Sequence, residues 1–308
     1  MSTYIIIKNI DGSELREENL LSFSFKKDVY LPYTTLNATI CIDTDNIDNG
    51  AEIFFYASDK LVHHGLIDTM TVTFSGGSNI FTVASRGFTS LLCQNQIEPG
   101  LKFNVSINNL MDSYAMPYVT HEDNSDTGSY IYVKNNSSIW EGVVNLSYKH
   151  YGMYPYIRGT NCVRMSAEAN PNTFSYDNSQ LLSIGSSVTC RRFISHFHMA
   201  DINKVYGNYE FEDTDVSQHK IVRHKYFELD MQFLQDPPDA LQYHDKYSSR
   251  GWKQKFCTYS GYNGEDLSDI ISFGNIVSER ISEVEIKGNS NGIITKISVY
   301  HDKFSHGD

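Results

Sequence analysis

The chain has 308 residues, of which 40% are hydrophobic, and this is enough apolar surface to fill packed cores and to exclude a disordered chain. Its 37 acidic and 25 basic residues give a net charge of −12, which argues against a protein that binds the phosphate backbone of nucleic acids. The length predicts two or three compact units, and the 21 tyrosines and 17 phenylalanines favour β-sheet.

The five cysteines lie far apart and form no CxxC pair, so they predict neither a disulfide framework nor a zinc site. Such thiols are typical of a protein made in a reducing cytosol. Residues 1–8 contain no basic region and too short an apolar run for a signal peptide. No stretch approaches the roughly 20 apolar residues that a membrane span requires. We therefore expect export only by lysis or by a dedicated machine.

The first hundred residues are predicted to form β-strands. Alternating apolar positions mark strands at residues 20–25, 36–42, 53–56 and 61–67. In the first of these, Leu21, Phe23 and Phe25 are expected on one face. Residues 69–74 and 80–85 then form a predicted hairpin around a five-residue loop that contains Gly76 and Gly77. This pattern indicates a small antiparallel sheet or barrel.

The middle of the chain is predicted to be a small α+β insert. A short helix is expected at residues 105–116, and a polar loop at 122–128. The strongest helix signal begins at Ser138, which has capping-box spacing to Glu141, and ends at Gly152. An apolar stripe follows helical spacing along it: Trp140, Val143, Val144, Ser147, Tyr148 and Tyr151. A strand, a turn and a strand are expected at 154–157 and 162–166.

Strands return after residue 180. They are predicted at residues 181–184, 187–198, 220–230 and 256–259, with a short helix at 239–246. A second hairpin joins residues 281–287 to 293–300 through a loop rich in Gly, Ser and Asn, and it places Ser282, Val284 and Ile286 on one face. The two hairpins share this layout, which indicates duplicated β-domains on either side of the insert.

This order of segments resembles the baseplate hub proteins of phage tails and of phage-tail-like contractile particles, the late-control-D-like group. The first β-segment closes on FTVASRGFTSLL (81–92), the helix SSIWEGVVNLSYKHYGMYPYI (137–157) follows, and the last β-segment closes on GIITKISVYHDKF (292–304). The resemblance covers nearly the whole chain, but it is one of pattern and order.

The resemblance implies a mainly β fold, in which two tail-tube-like antiparallel β-barrel domains (1–100 and 181–308) flank a small α+β domain (101–180). It also implies a homotrimeric, pseudo-sixfold ring between a hexameric tube and a trimeric spike. The expected partners are further copies of the chain, the tube or tube-initiator protein, the spike and other baseplate proteins. No specific nucleic-acid binding and no stable membrane insertion are expected. Assembly would take place in the bacterial cytoplasm, and lysis would release the particle.

The sequence predicts no catalytic, cofactor-binding or metal-binding residues. His196 and His198 share a strand face and could hold a metal, but no further ligand pattern surrounds them, and His63 and His64 are a weaker pair. Ser85 and Ser195 lack the sequence context of a nucleophile. No phosphate-binding glycine motif occurs.

The sequence is also compatible with two other classes of function. Glu141 with Asp201 or Glu210 could supply the two carboxylates of a peptidoglycan hydrolase, although the sequence cannot give their separation. Trp140 and the tyrosines of residues 148–156 could form a sugar-binding platform in a carbohydrate- or receptor-binding protein, although their helical spacing favours packing. For the hub, we also advance the hypothesis that excess carboxylates line an acidic bore.

Overall fold

The computed structural model describes residues 2–42, 49–233 and 236–304. The first segment contributes the strands β1 (Thr3–Asn9), β2 (Glu14–Glu17), β3 (Leu20–Asp28), β4 (Thr35–Ile42), β5 (Gly50–Ala57), β6 (Lys60–Ser75) and β7 (Ser78–Gly87). The predicted strands of the first hundred residues are thus confirmed. Their apolar positions supply much of the core, because alternate residues of a strand point to one face of the sheet.

One predicted face is wrong at the start of β3. The pairing of β3 with β4 shifts register between Leu20 and Ser22, and this irregularity turns Leu20 inward and Leu21 outward. After the shift, Phe23 and Phe25 are buried as expected.

The predicted strands at 61–67 and 69–74 are one continuous strand, β6. The pairing of β6 with β7 shifts register between Ile67 and Thr69. Asp68, at this shift, forms two hydrogen bonds with the guanidinium group of Arg86, at 2.6 and 2.7 Å. The hairpin loop is also shorter than predicted: Ser75 pairs with Ser78, so only two glycines form the turn, both with positive φ.

The middle segment forms its own core around the predicted helix. Its elements are α1 (Leu91–Gln94), β8 (Gly100–Val105), α2 (Ile107–Ser113), β9 (Thr120–His121), β10 (Gly128–Val133), α3 (Ile139–Tyr151), β11 (Tyr156–Arg158) and β12 (Cys162–Arg164). The strand β13 (Thr173–Tyr176) follows them, and its Tyr176 belongs to the core of the large sheet. The capping box of α3 is confirmed: the Glu141 N–H donates to Ser138 Oγ, and the Ser138 N–H donates to the Glu141 carboxylate at 2.7 Å. Helix α2 begins later than predicted, because the residues before its N-cap, Ser106, pair as β8.

The last segment continues with β14 (Ser183–Val188), β15 (His196–Met199), β16 (Tyr209–Glu212), α4 (Thr214–Gln218), β17 (His224–Phe227), α5 (Pro237–Ser248), β18 (Lys253–Ser260), β19 (Ile270–Phe273), β20 (Ile276–Arg280), β21 (Glu283–Asn289) and β22 (Gly292–Tyr300). The predicted strand at 187–198 is wrong: a turn closed by the Phe193 N–H and the Cys190 carbonyl, at 3.3 Å, separates β14 from β15. The predicted strand at 220–230 shrinks to β17, which pairs with β15.

Strands from both ends of the chain form one large antiparallel sheet. Its order is β14-β18-β22-β21-β3-β4-β7-β6-β5-β1-β2. This sheet contains two four-stranded units, β3-β4-β7-β6 and β14-β18-β22-β21. In both units the strand that comes first in the chain lies at one side, followed in the sheet by the second, the fourth and the third. The pair β21–β3 joins the two units, and one hydrophobic core lies against both. The fold is therefore mainly β, with a large curled antiparallel sheet.

Candidate assembly surfaces

The histidines of β15 lie on the outward face of the small sheet β16-β15-β17. His198 Nδ1 is 2.9 Å from Glu210 Oε1, and His198 Nε2 is 3.0 Å from Nδ1 of His224. His196 stacks on His224 with a centroid distance of 4.3 Å. In the described part of the chain, no group of three or more His, Cys, Asp or Glu side chains is arranged to hold a metal ion.

The other histidine pair is buried. His63 lies between Thr34 Oγ1, at 2.7 Å, and Ser85 Oγ, at 2.8 Å, and burial, with the neighbouring His64, lowers the pKa of His63 to about 3. Ser85 thus contacts a histidine, but both side chains are inaccessible and Thr34 occupies the position of a triad carboxylate. His64 bonds to Glu52 at 2.9 Å. The arrangement is a packed hydrogen-bond network.

The three carboxylates considered for glycoside hydrolysis lie in different local structures. Glu141 closes the capping box of α3. Asp201 accepts hydrogen bonds from the N–H groups of Asn203 and Val205 in its own loop. Glu210 contacts His198. Each carboxylate therefore has a local structural partner.

The aromatic stripe of α3 is part of the core. Trp140 and Tyr148 are buried, and Tyr148 packs against Tyr243 with a centroid distance of 4.7 Å. These side chains cannot form an exposed sugar platform. Ser195 is also buried, and its hydroxyl accepts a hydrogen bond from the Arg223 N–H at 2.8 Å.

The large sheet turns a hydroxyl-rich face away from its core. Register and alternation place on this face Ser22, Ser24, Asn37, Thr39, Thr71, Thr73, Thr82, Ser183, Ser187 and Thr258. Its carboxylates have cationic partners: Lys26 pairs with Glu283 at 2.5 Å, and Lys287 with Glu285 at 2.6 Å. The face is polar and carries little net charge.

Two strands of the four-stranded units have free edges in the described structure. β14 pairs there with β18 alone, and the second half of β6, residues 69–75, pairs with β7 alone, because the β5–β6 ladder ends at Glu52 and Leu66. Both edges expose apolar side chains, among them Phe74 and Ile184. Natural edge strands are usually protected by charges, as in β2 with Glu14, Arg16 and Glu17. The two uncharged edges are therefore the candidate contact sites.

The fold is similar to that of solved structures described as tail proteins. No family model matches the sequence, and no curated protein matches it. The structure is similar to the 43 kDa tail protein of prophage MuSo2 from Shewanella oneidensis, with a TM-score of 0.72, 12% identity and coverage of 97% of this chain and 98% of that chain. It is similar to a tail protein from Neisseria meningitidis MC58, with a TM-score of 0.70, 11% identity and coverage of 98% and 97%.

A third similar structure comes from a secretion machine. It is an Escherichia coli component of the type VI secretion system, described as structurally similar to the T4 bacteriophage tail proteins gp27 and gp5, with a TM-score of 0.57, 8% identity and coverage of 94% of this chain and 75% of that chain. The chain therefore shares the fold of the two tail proteins and of this secretion-system component. Among the described residues, no helix is long and apolar enough to cross a membrane.

Proposed function

We propose that this protein is a structural hub subunit in the baseplate of a phage tail or of a tail-like contractile particle. Three copies form a ring that joins a hexameric tube to a trimeric spike and initiates assembly of the tube. The observation that carries the proposal is the repetition of one four-stranded unit, which occurs twice in a single sheet.

Such a repetition matches the symmetry problem of a hub. Two similar units in each chain give six units in a trimer, so one face of the ring can meet a sixfold partner while the chain itself obeys threefold symmetry. The similarity to the tail protein of prophage MuSo2 from Shewanella oneidensis and to a tail protein from Neisseria meningitidis MC58, over nearly the full length of each chain, supports the same role. The partners would be the tube or its initiator, the spike and other baseplate proteins.

The bore of this ring would be lined by the hydroxyl-rich face of the sheet. Because Glu283 and Glu285 are paired with lysines there, the wall would be polar and close to neutral. This arrangement gives no support to the acidic bore considered from the net charge. A neutral wall would still let a charged polymer pass, since it offers no strong electrostatic attraction.

The test is negative-stain imaging and native mass spectrometry of the purified protein, both alone and co-expressed with a spike-like protein that a neighbouring gene encodes. We expect threefold rings with six lobes. Monomers that persist in the presence of the spike-like protein would contradict the hub. Peptidoglycan turbidity and glycan-array assays are the matched controls: we expect no clearing and no binding, and a positive result would favour a hydrolase or a receptor-binding protein.

A further inference from the structure

We infer that copies of this chain join by antiparallel pairing of residues 69–75 of β6 in one copy with β14 (Ser183–Val188) of the next, in the register that β21 and β3 show within one copy. This inference rests on the proposed hub and names the surfaces through which its ring closes.

The equivalence of the strands follows from their pairing. In the hairpin β21–β22 the turn is flanked by the pair Asn289–Gly292, and in β6–β7 it is flanked by Ser75–Ser78. Alignment of the two turns makes β21 equivalent to residues 69–75, which is the half of β6 that β5 leaves free.

The strand β14 is likewise equivalent to β3. Ala38 of β4 pairs with Val83, and Cys257 of β18 pairs with Ile297, at corresponding positions of the two hairpins. Each of these two residues also pairs with the first strand of its unit: Ala38 pairs with Phe23 of β3, and Cys257 pairs with Ile184 of β14. Ile184 is therefore the counterpart of Phe23, and β14 is the counterpart of residues 22–27.

The pairing of β21 with β3 within one copy then gives the register expected between β6 and β14 of neighbouring copies. Within one copy, Val284 lies opposite Lys27, Ile286 opposite Phe25 and Gly288 opposite Phe23. Transferred to the free edges, this register makes three pairs on the core-facing side: Met70–Val188, Val72–Ser186 and Phe74–Ile184. On the hydroxyl-rich side it makes the pairs Thr71–Ser187 and Thr73–Gly185.

The side chains at these edges suit burial against each other. Phe74 is 74% exposed, Val72 40%, Ile184 46% and Val188 56%. Neither residues 69–75 nor β14 contains a charged residue, so pairing them desolvates no ion and opposes no like charges. The new ladder would extend the sheet across the boundary between copies and would cover the apolar side chains that β14 and β6 now expose.

The contact is heterologous, because each copy offers β6 to one neighbour and β14 to the other. Contacts of this kind form a closed ring when the repeated rotation between copies adds up to a full turn without a shift along the axis, and an open filament otherwise. Three copies would then place the two kinds of junction alternately around the ring: β21–β3 inside each chain and β6–β14 between chains.

Engineered cysteines test the register. All variants carry Cys190→Ser, because Cys190 lies next to the proposed junction in the sequence. The test variant is Thr71→Cys with Ser187→Cys, two side chains that the register puts directly opposite each other, within reach of a disulfide. The control is Thr71→Cys with Ser183→Cys, whose partner position lies four residues away, or about 13 Å along the strand.

After mild oxidation, we expect a covalent trimer for the test variant on a non-reducing gel and no cross-linked product for the control. Each single-cysteine variant should stay monomeric on the gel, and an oxidised mixture of the two should give a covalent dimer. Cross-linking of Ser187→Cys with itself would overturn the inference, because it would show that β14 pairs with β14.

The possible outcomes test the proposed register and the proposed hub function independently. Trimers in native mass spectrometry without a cross-link in the test variant would show that the register is wrong while the hub proposal stands. A ladder of cross-linked species beyond three copies would confirm the β6–β14 contact and contradict the closed trimer. Wild-type monomers in the presence of the spike-like protein would contradict both.

Discussion

The ammonium group of Lys27 donates a hydrogen bond to the carbonyl oxygen of Gly159 at 2.6 Å, although these residues are 132 positions apart in the chain. It also forms an ion pair with Asp266, whose carboxylate accepts a hydrogen bond from the Gly159 N–H at 2.7 Å. Lys27 is buried on β3. One side chain therefore ties the large sheet to the middle segment and to the loop before β19.

Replacing Lys27 should destabilise the protein strongly. Lys27→Met keeps the length of the side chain but removes the cation that pairs with the Asp266 carboxylate, and the loss of one partner of such a pair costs up to about 3–5 kcal/mol. The matched control is Lys287→Met, because Lys287 forms an exposed pair with Glu285, which should contribute less than about 1 kcal/mol. Urea unfolding measures both. Equal losses in the two variants would contradict this role for Lys27.

The buried His63 predicts a loss of stability in mild acid. Its pKa is lowered to about 3 in the fold, against about 6.5 in the unfolded chain, so it stabilises the fold fully above pH 6.5 and progressively less as the pH falls. Between pH 6.5 and pH 5 this amounts to about 2 kcal/mol. His244, whose pKa burial lowers to about 4, acts in the same direction.

The variant His63→Gln should remove the His63 part of this dependence. Glutamine cannot gain a proton in this range, so the fall in the free energy of unfolding between pH 7 and pH 5 should be smaller by about 2 kcal/mol than in the wild type. Urea unfolding at the two pH values gives the comparison. The same fall in both proteins would show that His63 is not held neutral.

Gly65 should not tolerate a side chain. A Cβ atom there would overlap the carbonyl oxygen of Arg86 on β7 and would lie 2.6 Å from His63 Nε2. Gly65→Ala should therefore cost about 1–3 kcal/mol, because the backbone of β7 has to shift. In Gly128→Ala the new atom would meet Leu146 at an ordinary 3.7 Å, so that variant should keep its melting temperature.

Phe74 should matter for association and not for the isolated fold. Phe74→Ser removes a side chain that is already largely exposed, so thermal unfolding of the monomer should change little. Burial of such a side chain contributes about 1.5–3 kcal/mol, so the dissociation constant between copies should rise about 10- to 100-fold. Mass photometry over a dilution series measures this constant. Ile202→Ser, at an exposed turn between β15 and β16 that belongs to neither edge strand, is the control and should leave it unchanged.

The sequence predicts the local structure of this protein well where one rule determines it. Ser138, Glu141 and Gly152 mark both ends of α3, and period-two patterns locate β3, β4, β7 and β22. Local pattern fails where the chain departs from regular pairing. The register shift beside Leu20 reverses the face of Leu21, and a turn at Cys190 interrupts an apparently continuous strand.

The contact surfaces are harder to predict from sequence. The pairing of β3 with β21 joins residues more than 250 positions apart, and no local signal selects one distant partner strand over another. The sequence also cannot predict that Val72 and Phe74 are exposed, because they alternate with polar residues along β6 in the same way as buried apolar residues do in other strands. The similarity of the two hairpins did indicate duplication, but only the order of strands in the sheet shows that two whole units correspond.

Duplication within one chain changes the kinetics with which a ring of six units can form. In a ring of three copies, the β21–β3 junction of each chain is closed as that chain folds, at an effective concentration set by its own covalent connection. Only three of the six junctions then depend on collisions between molecules. The two kinds of junction are also free to differ in sequence: Lys26 and Glu283 make the inner one ionic, whereas β6 and β14 bring only uncharged side chains. Assembly would therefore respond to protein concentration at the uncharged junctions, and the ionic ones would be in place beforehand.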